Sequence, residues 1–115
     1  MSTSILAGKK FYGLLELDAA GTVLYSRVEK NGDGDDPPPD FSGSNFFTEV
    51  APFENIEEFR RRLDGFKRGE VPAQSFTFTC QFVDGPVPVR VLLARIRERS
   101  KGGHTKSILV HIRRA

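Results

Sequence analysis

The spacing of hydrophobic residues changes twice along this chain, and each change marks a change of structure. "KFYGLLELD" (residues 10–18) and "TVLYSRV" (22–28) have the composition of strands, and "DAAG" between them is a short glycine-containing turn. This pattern predicts a β-hairpin over residues 10–28. From Asn55 the spacing becomes three and four, placing Ile56, Phe59, Leu63 and Phe66 on one face of a helix. Asn55 followed by Glu58 predicts a capping box. Glu57 with Arg61 and Glu58 with Arg62 predict ion pairs one turn apart. Gly65 weakens the last turn and Gly69 predicts the stop. After Gly69 the spacing falls to two. "SFTFTCQFV" (75–83) puts Phe76, Phe78, Cys80 and Phe82 on one face, with Thr77, Thr79 and Gln81 on the other. "VPVRVLLARIR" (87–97) and "KSILVHIRR" (106–114), joined by the turn "SKGGHT", alternate less cleanly, which predicts strands partly covered on both faces.

The order is thus β-β, a loop and helix region, then β-β-β. It predicts an α+β fold, a five-stranded antiparallel sheet with helices packed on one face. With 115 residues the chain has length for one core. Residues 1–9 form a short leading segment and residues 10–115 a single domain.

Composition narrows the function more than it identifies it. Charged residues make up 28% and the apolar set 38%, as in a folded globular chain, and ten phenylalanines with no tryptophan predict a phenyl core. A net charge of +2 is too balanced to point to nucleic acid. One cysteine, Cys80, excludes an internal disulfide and a multi-cysteine metal site. Two histidines, His104 and His111, are too few to anchor zinc without carboxylates. No apolar run has the length of a membrane span and the start lacks a signal-peptide core, so a cytoplasmic protein without a membrane partner is expected. The acidic, proline-containing stretch "EKNGDGDDPPPDFSGS" (29–44) fails as a calcium loop. With Asn31, Asp33 and Asp35 as the first ligands, the required glycine falls on Asp36 and the closing glutamate on Ser42. It is expected to be a solvated connector, and the run Arg60–Arg61–Arg62 the solvated face of the helix. No nucleophile–base pair, phosphate-cradling loop or metal spacing suggests an enzyme.

Three motifs go further. "GSNFFTEVAP" (43–52), "LDAAGTVL" (17–24) and "VHIRR" (110–114) closely resemble the photoactive yellow protein family of PAS domains. The resemblance runs from about Phe11 to Arg114. It registers without a gap from Leu17 through Gly69, with one residue inserted before "FTFTCQF". It implies a PAS fold and, in the family, a p-coumaroyl chromophore held as a thioester on a cysteine directly after "VAP". That position here is Phe53, which has no nucleophile. The family's phenolate-binding tyrosine and protonated glutamate fall on Ser26 and Lys30, its gating arginine on Asp36 and a network threonine on Gly34. A pocket-lining phenylalanine falls on Cys80. Cys80 is expected to be a small buried hydrophobe rather than a relocated reactive thiol. Flavin-binding PAS domains carry an "NCRFLQ"-like motif that "NFFTEV" does not match, and haem-binding ones use a histidine from the helix region, where this chain has none. No cofactor is expected.

The resemblance also implies where function goes once the chromophore is lost. The family's longer N-terminal segment covers the outer face of its sheet, so with about nine residues here that face is expected to be bare and available to a partner. With no output domain expected after the last strand, the chain is expected to act as an adaptor, pairing with itself as a homodimer or with another bacterial signalling protein. The alternative is a sensory pocket that binds a small ligand non-covalently. Phe46, Val50, Phe53, Cys80 and Phe82 would line it, Ser26 and Lys30 would anchor the ligand, and Gly34 and Asp36 would lie beside it.

Overall fold

A computed structural model describes residues 12–28, 40–51, 53–83, 85–97 and 105–115. Among the described residues the strands are β1 (Gly13–Leu17), β2 (Val23–Val28), β3 (Ala73–Phe82), β4 (Gly85–Arg97) and β5 (Thr105–Arg114), and the one α-helix is α1 (Ile56–Arg68). They form one antiparallel sheet in the order β2-β1-β5-β4-β3. This is the predicted α+β architecture, with α1 on one face.

The first hairpin closes as its sequence demands. The Asp18 carboxylate accepts from the N–H groups of Ala20 and Thr22, both at 2.9 Å, and Gly21 N–H donates to the Asp18 carbonyl at 3.0 Å. Gly21 sits at φ +89°, and a Cβ there would lie 2.7 Å from the Phe47 ring, so both backbone and space require glycine. The hairpin therefore helps to seat the segment that follows β2. Val23 N–H donates to the Ser44 carbonyl and Gly43 N–H to the Val23 carbonyl, each at 2.8 Å, which covers the β2 edge.

The second half has one cleanly alternating stretch and one covered on both faces. β4 alternates cleanly over Gly85–Leu93: Val89, Val91 and Leu93 are buried while Arg90 and Leu92 are exposed. Beyond Leu93 the alternation stops, as the uneven pattern predicts: Ala94, Arg95 and Ile96 are all partly covered, and consecutive Ser107 and Ile108 in β5 are both buried.

Helix α1 buries Phe59, Leu63 and Phe66, with Ile56 packed at the margin. The expected capping box does not form. The Asn55 side chain makes no cap bond. Its amide instead donates to the Thr79 carbonyl at 2.8 Å, and its oxygen accepts from Gln81 N–H at 3.0 Å. A strand edge has unpaired backbone groups in fixed register, and an amide side chain satisfies one donor and one acceptor together. The ion pairs along the helix are Glu57–Arg60 at 4.0 Å and Asp64–Lys67 at 3.8 Å, three residues apart rather than the expected four. Arg60 and Arg62 lie over the rings of Phe47 and Phe76, at 5.0 and 4.2 Å.

The helix C-terminus is held by a residue from the sheet. The Arg95 guanidinium donates to the carbonyls of Phe66, Gly69 (2.6 Å) and Val71 (2.7 Å), and stacks over the Phe66 ring at 4.4 Å. A cation supplying several donors to terminal carbonyls suits the negative end of a helix. Between these two ties the core is continuous, running from Leu15 and Leu17 through the phenylalanines to Val89, Val91, Leu93, Val110 and Ile112.

Candidate functional site

The segment from Asn45 to Phe53 is the part of the chain where the family resemblance places chemistry. It is not a plain loop. Phe46–Val50 form a single π-helical turn, with Ala51 N–H donating to the Phe46 carbonyl at 2.9 Å. Asn45 starts it: its side-chain oxygen accepts from the N–H groups of Phe47 (2.9 Å) and Thr48 (3.2 Å), and the Glu49 carboxylate accepts from Asn45 N–H at 2.7 Å. Reciprocal side-chain bonds of this kind satisfy orphan donors at a helical start. The capping signal in the sequence thus belongs to Asn45 rather than Asn55. Val50 and Phe46 point inward from this turn and are 1% and 0% exposed.

Phe53 is 3% exposed and lies among three other rings. Its centroid is 5.7 Å from Phe59, 6.0 Å from Phe82 and 6.2 Å from Phe78, with interplanar angles of 76°, 73° and 59°. Edge-on and tilted contacts of this kind are the favourable arrangements for phenyl pairs. Phe46 joins the set through Phe59, at 5.8 Å. Cys80 and Phe82 face the same core from β3. The structure therefore brings Phe46, Val50, Phe53, Cys80 and Phe82 together. Lys30, Gly34 and Asp36 lie outside the described residues.

Ser26 faces the core side of the sheet opposite Leu15, but its hydroxyl is already engaged. It accepts from Phe41 N–H at 3.0 Å and donates to the Asp40 carboxylate at 3.4 Å. Asp40 also accepts from the Ser42 N–H (3.0 Å) and hydroxyl (2.8 Å), and these bonds hold its carboxyl below the usual range. Ser26 fastens residues 40–42 to β2 instead of standing free as a ligand anchor. The neighbouring phenol cannot substitute. Tyr25 pairs with Glu16 on the opposite face and is 45% exposed.

The residues present do not fit a thioester-bound p-coumaroyl group. Phe53, on which the family resemblance places the attachment, has a ring and no sulfur. The one thiol, Cys80, is 1% exposed, and burial pushes its pKa up to about 12, so it stays protonated and a poor nucleophile at neutral pH. Among the described residues no group of three histidine, cysteine or acidic side chains could hold a metal ion. No helix among them is long and apolar enough to cross a membrane.

Two photoactive yellow proteins align with this chain over most of its length. That of Rhodothalassium salexigens is 34% identical over 86 residues, covering 73% of this chain and 67% of the relative. That of Halochromatium salexigens is 35% identical over 82 residues, covering 70% and 64%. The chain belongs to the photoactive yellow protein family. No family model matches it. The matched stretch spans about two thirds of each relative, and the sheet and helix described above are the PAS-type sensory fold of that family. Within it, two residues that organise the region escape a reading of the pattern. Asn55 looks like a helix cap and Arg95 like a surface strand residue. Their true partners lie 24 or more positions away.

Proposed function

We propose that this member of the photoactive yellow protein family carries no thioester chromophore and works as a protein-interaction module. The observation that carries the proposal is the burial of Phe53, on which the family resemblance places the attachment, among Phe59, Phe78 and Phe82. A closely packed ring leaves the core nothing to gain from a ligand of similar volume. The commitment of the Ser26 hydroxyl to Asp40 and Phe41 argues the same way, because it removes a polar anchor from the alternative small-ligand reading. The outer face of the sheet supports the interaction role. Leu92 and Tyr25 are 40% and 45% exposed there, beside the partly covered Leu14 and Leu109. A second copy of the chain or another signalling protein would bury them.

The test is loading with activated p-coumarate, followed by intact mass and visible absorption, with sedimentation velocity on the untreated protein. The expected result is no adduct and no visible band, together with a dimer or a hetero-complex recovered from the host. A stable, visibly absorbing adduct would overturn the loss of photochemistry. A monomer at every concentration, without a partner, would overturn the interaction role. Phe53→Cys alone is expected to restore a nucleophile without native-like colour, since Ser26 and Lys30 supply neither phenol nor carboxylic acid.

A further inference from the structure

The two edges of the sheet are treated differently. At β2 the backbone of residues 43–46 lies along the edge, pairing at Val23 and Gly21. At β3 the cover is partial. Arg95 N–H donates to the Pro72 carbonyl at 3.0 Å, and Ala73 lies opposite Ala94. In an antiparallel ladder this turns the odd-numbered residues of β3 outward, toward the free edge. Gln81 is satisfied there by Glu54 N–H (2.7 Å) and the Asn55 oxygen, and the Thr79 carbonyl by the Asn55 amide. Ser75 and Thr77 come next along the same edge. Among the described residues, nothing pairs with their backbone groups.

The open stretch borders a cleft. A space of about 480 Å³ separates the edge at Thr77, Thr79 and Gln81 from the helix wall formed by Glu58, Arg61 and Arg62. Arg62 is steadied over the Phe76 ring, and Arg61 makes no ion pair among the described residues. The wall thus holds two cations to one anion. β3 is ten residues long with no proline or lysine, the usual means of blunting an edge.

We infer that the cleft between α1 and the β3 edge is a docking site for an extended acidic segment of a partner protein. The segment would add a strand at Ser75–Thr79, its backbone bonding Ser75 and Thr77. Every second side chain would then face the helix wall, where acidic groups meet Arg61 and Arg62. A second copy of this chain is a poorer occupant. Pairing β3 with β3 about a two-fold axis would bring both Arg61–Arg62 pairs to one seam, and like charges oppose it.

The probe is a fluorescein-labelled octapeptide alternating glutamate with valine, compared with one alternating lysine with valine, followed by anisotropy and amide hydrogen exchange. The glutamate peptide is expected to bind and to slow exchange at Ser75 and Thr77. The R61E/R62E double variant is expected to weaken binding by about tenfold or more. Thr77→Pro is expected to abolish binding. Because that variant risks the fold, the peptide itself is also altered: N-methylation of one alternate set of its amides must abolish binding and the other set must leave it. Equal binding of the lysine peptide, no binding, or indifference to both methylation patterns would overturn the inference. So would protection of Ser75 and Thr77 that rises with protein concentration alone, the mark of a second copy. Chromophore uptake would remove the preceding proposal and leave this one standing, since neither edge nor cleft includes Phe53.

Discussion

The two faces of the sheet are built from the same strands and have opposite characters. Toward α1, Leu15, Val89, Val91, Leu93 and Val110 are wholly buried, and rings fill the space between sheet and helix. On the outer face, Arg27, Arg90 and Arg113 are exposed beside Leu92 and Tyr25, and Ser107, the one buried polar residue among those described, donates to Glu16 at 2.6 Å. In the family resemblance, the chemistry belongs to the inner side. Here that side has hydrocarbon around Phe53, while the polar and cationic variety lies outside and along the β3 edge. On the function proposed above, the contrast is how a sensory scaffold would keep its fold without a chromophore site. Phenyl rings stabilise the core on their own.

Removing the central ring should break the contrast most sharply. Phe53→Ala deletes a side chain in contact with three rings and is expected to cost about 3–5 kcal/mol in denaturant unfolding. Phe53→Leu should recover most of it. An unfolding cost near zero would mean that the rings do not close the attachment position.

The buried thiol extends the same comparison to pH. The folded state holds Cys80 protonated up to about pH 12, whereas its ordinary value is 9.0. The stabilising difference is therefore complete below pH 9.0 and is lost as pH rises from there toward 12, by up to about 4 kcal/mol across the interval. Urea unfolding of wild type and Cys80→Ala as a function of pH checks this. The wild type should lose more stability than the variant over that range, and its thiol should react with a disulfide reagent only on unfolding.

Arg95 joins the two faces' structural logic at the helix end. Arg95→Ala removes donors to the Phe66, Gly69 and Val71 carbonyls and a stacked cation, at an expected cost of about 2–3 kcal/mol. Arg95→Lys should restore only part of it, because a lysine has no planar fork. Exchange of the last-turn amides of α1 would locate the loss. At the small end, Leu92→Ala on the outer face should change stability by less than about 0.5 kcal/mol. It should nonetheless weaken any dimer or partner complex that uses that face. A large folding cost would mean that the face is already covered within the chain.

Much of this was legible from residue order because it depends on near neighbours. Alternation at Phe76, Phe78, Cys80 and Phe82 identified the buried face of β3, and the three-and-four spacing from Ile56 identified the buried side of α1. Asp18 and Gly21 specify their turn within four residues. Even the absence of a nucleophile at Phe53 is a property of the sequence alone. Side chains whose partners come from elsewhere were not legible. Asn55 has the form of a cap, yet it ties the helix start to the β3 edge, because the sheet brings two unsatisfied backbone groups within reach. Arg95 has the form of a solvent-facing strand residue, yet the return of the chain places helix carbonyls around it. Ser26 gave no sign that residues 40–42 would claim its hydroxyl. The sequence by itself determined the period of most elements and the ring in place of a thiol at Phe53, since both are local. Only the tertiary structure decided which polar groups are free to act. That depends on which backbone groups are left unpaired when distant segments meet, and among the described residues such groups remain at the edge of β3.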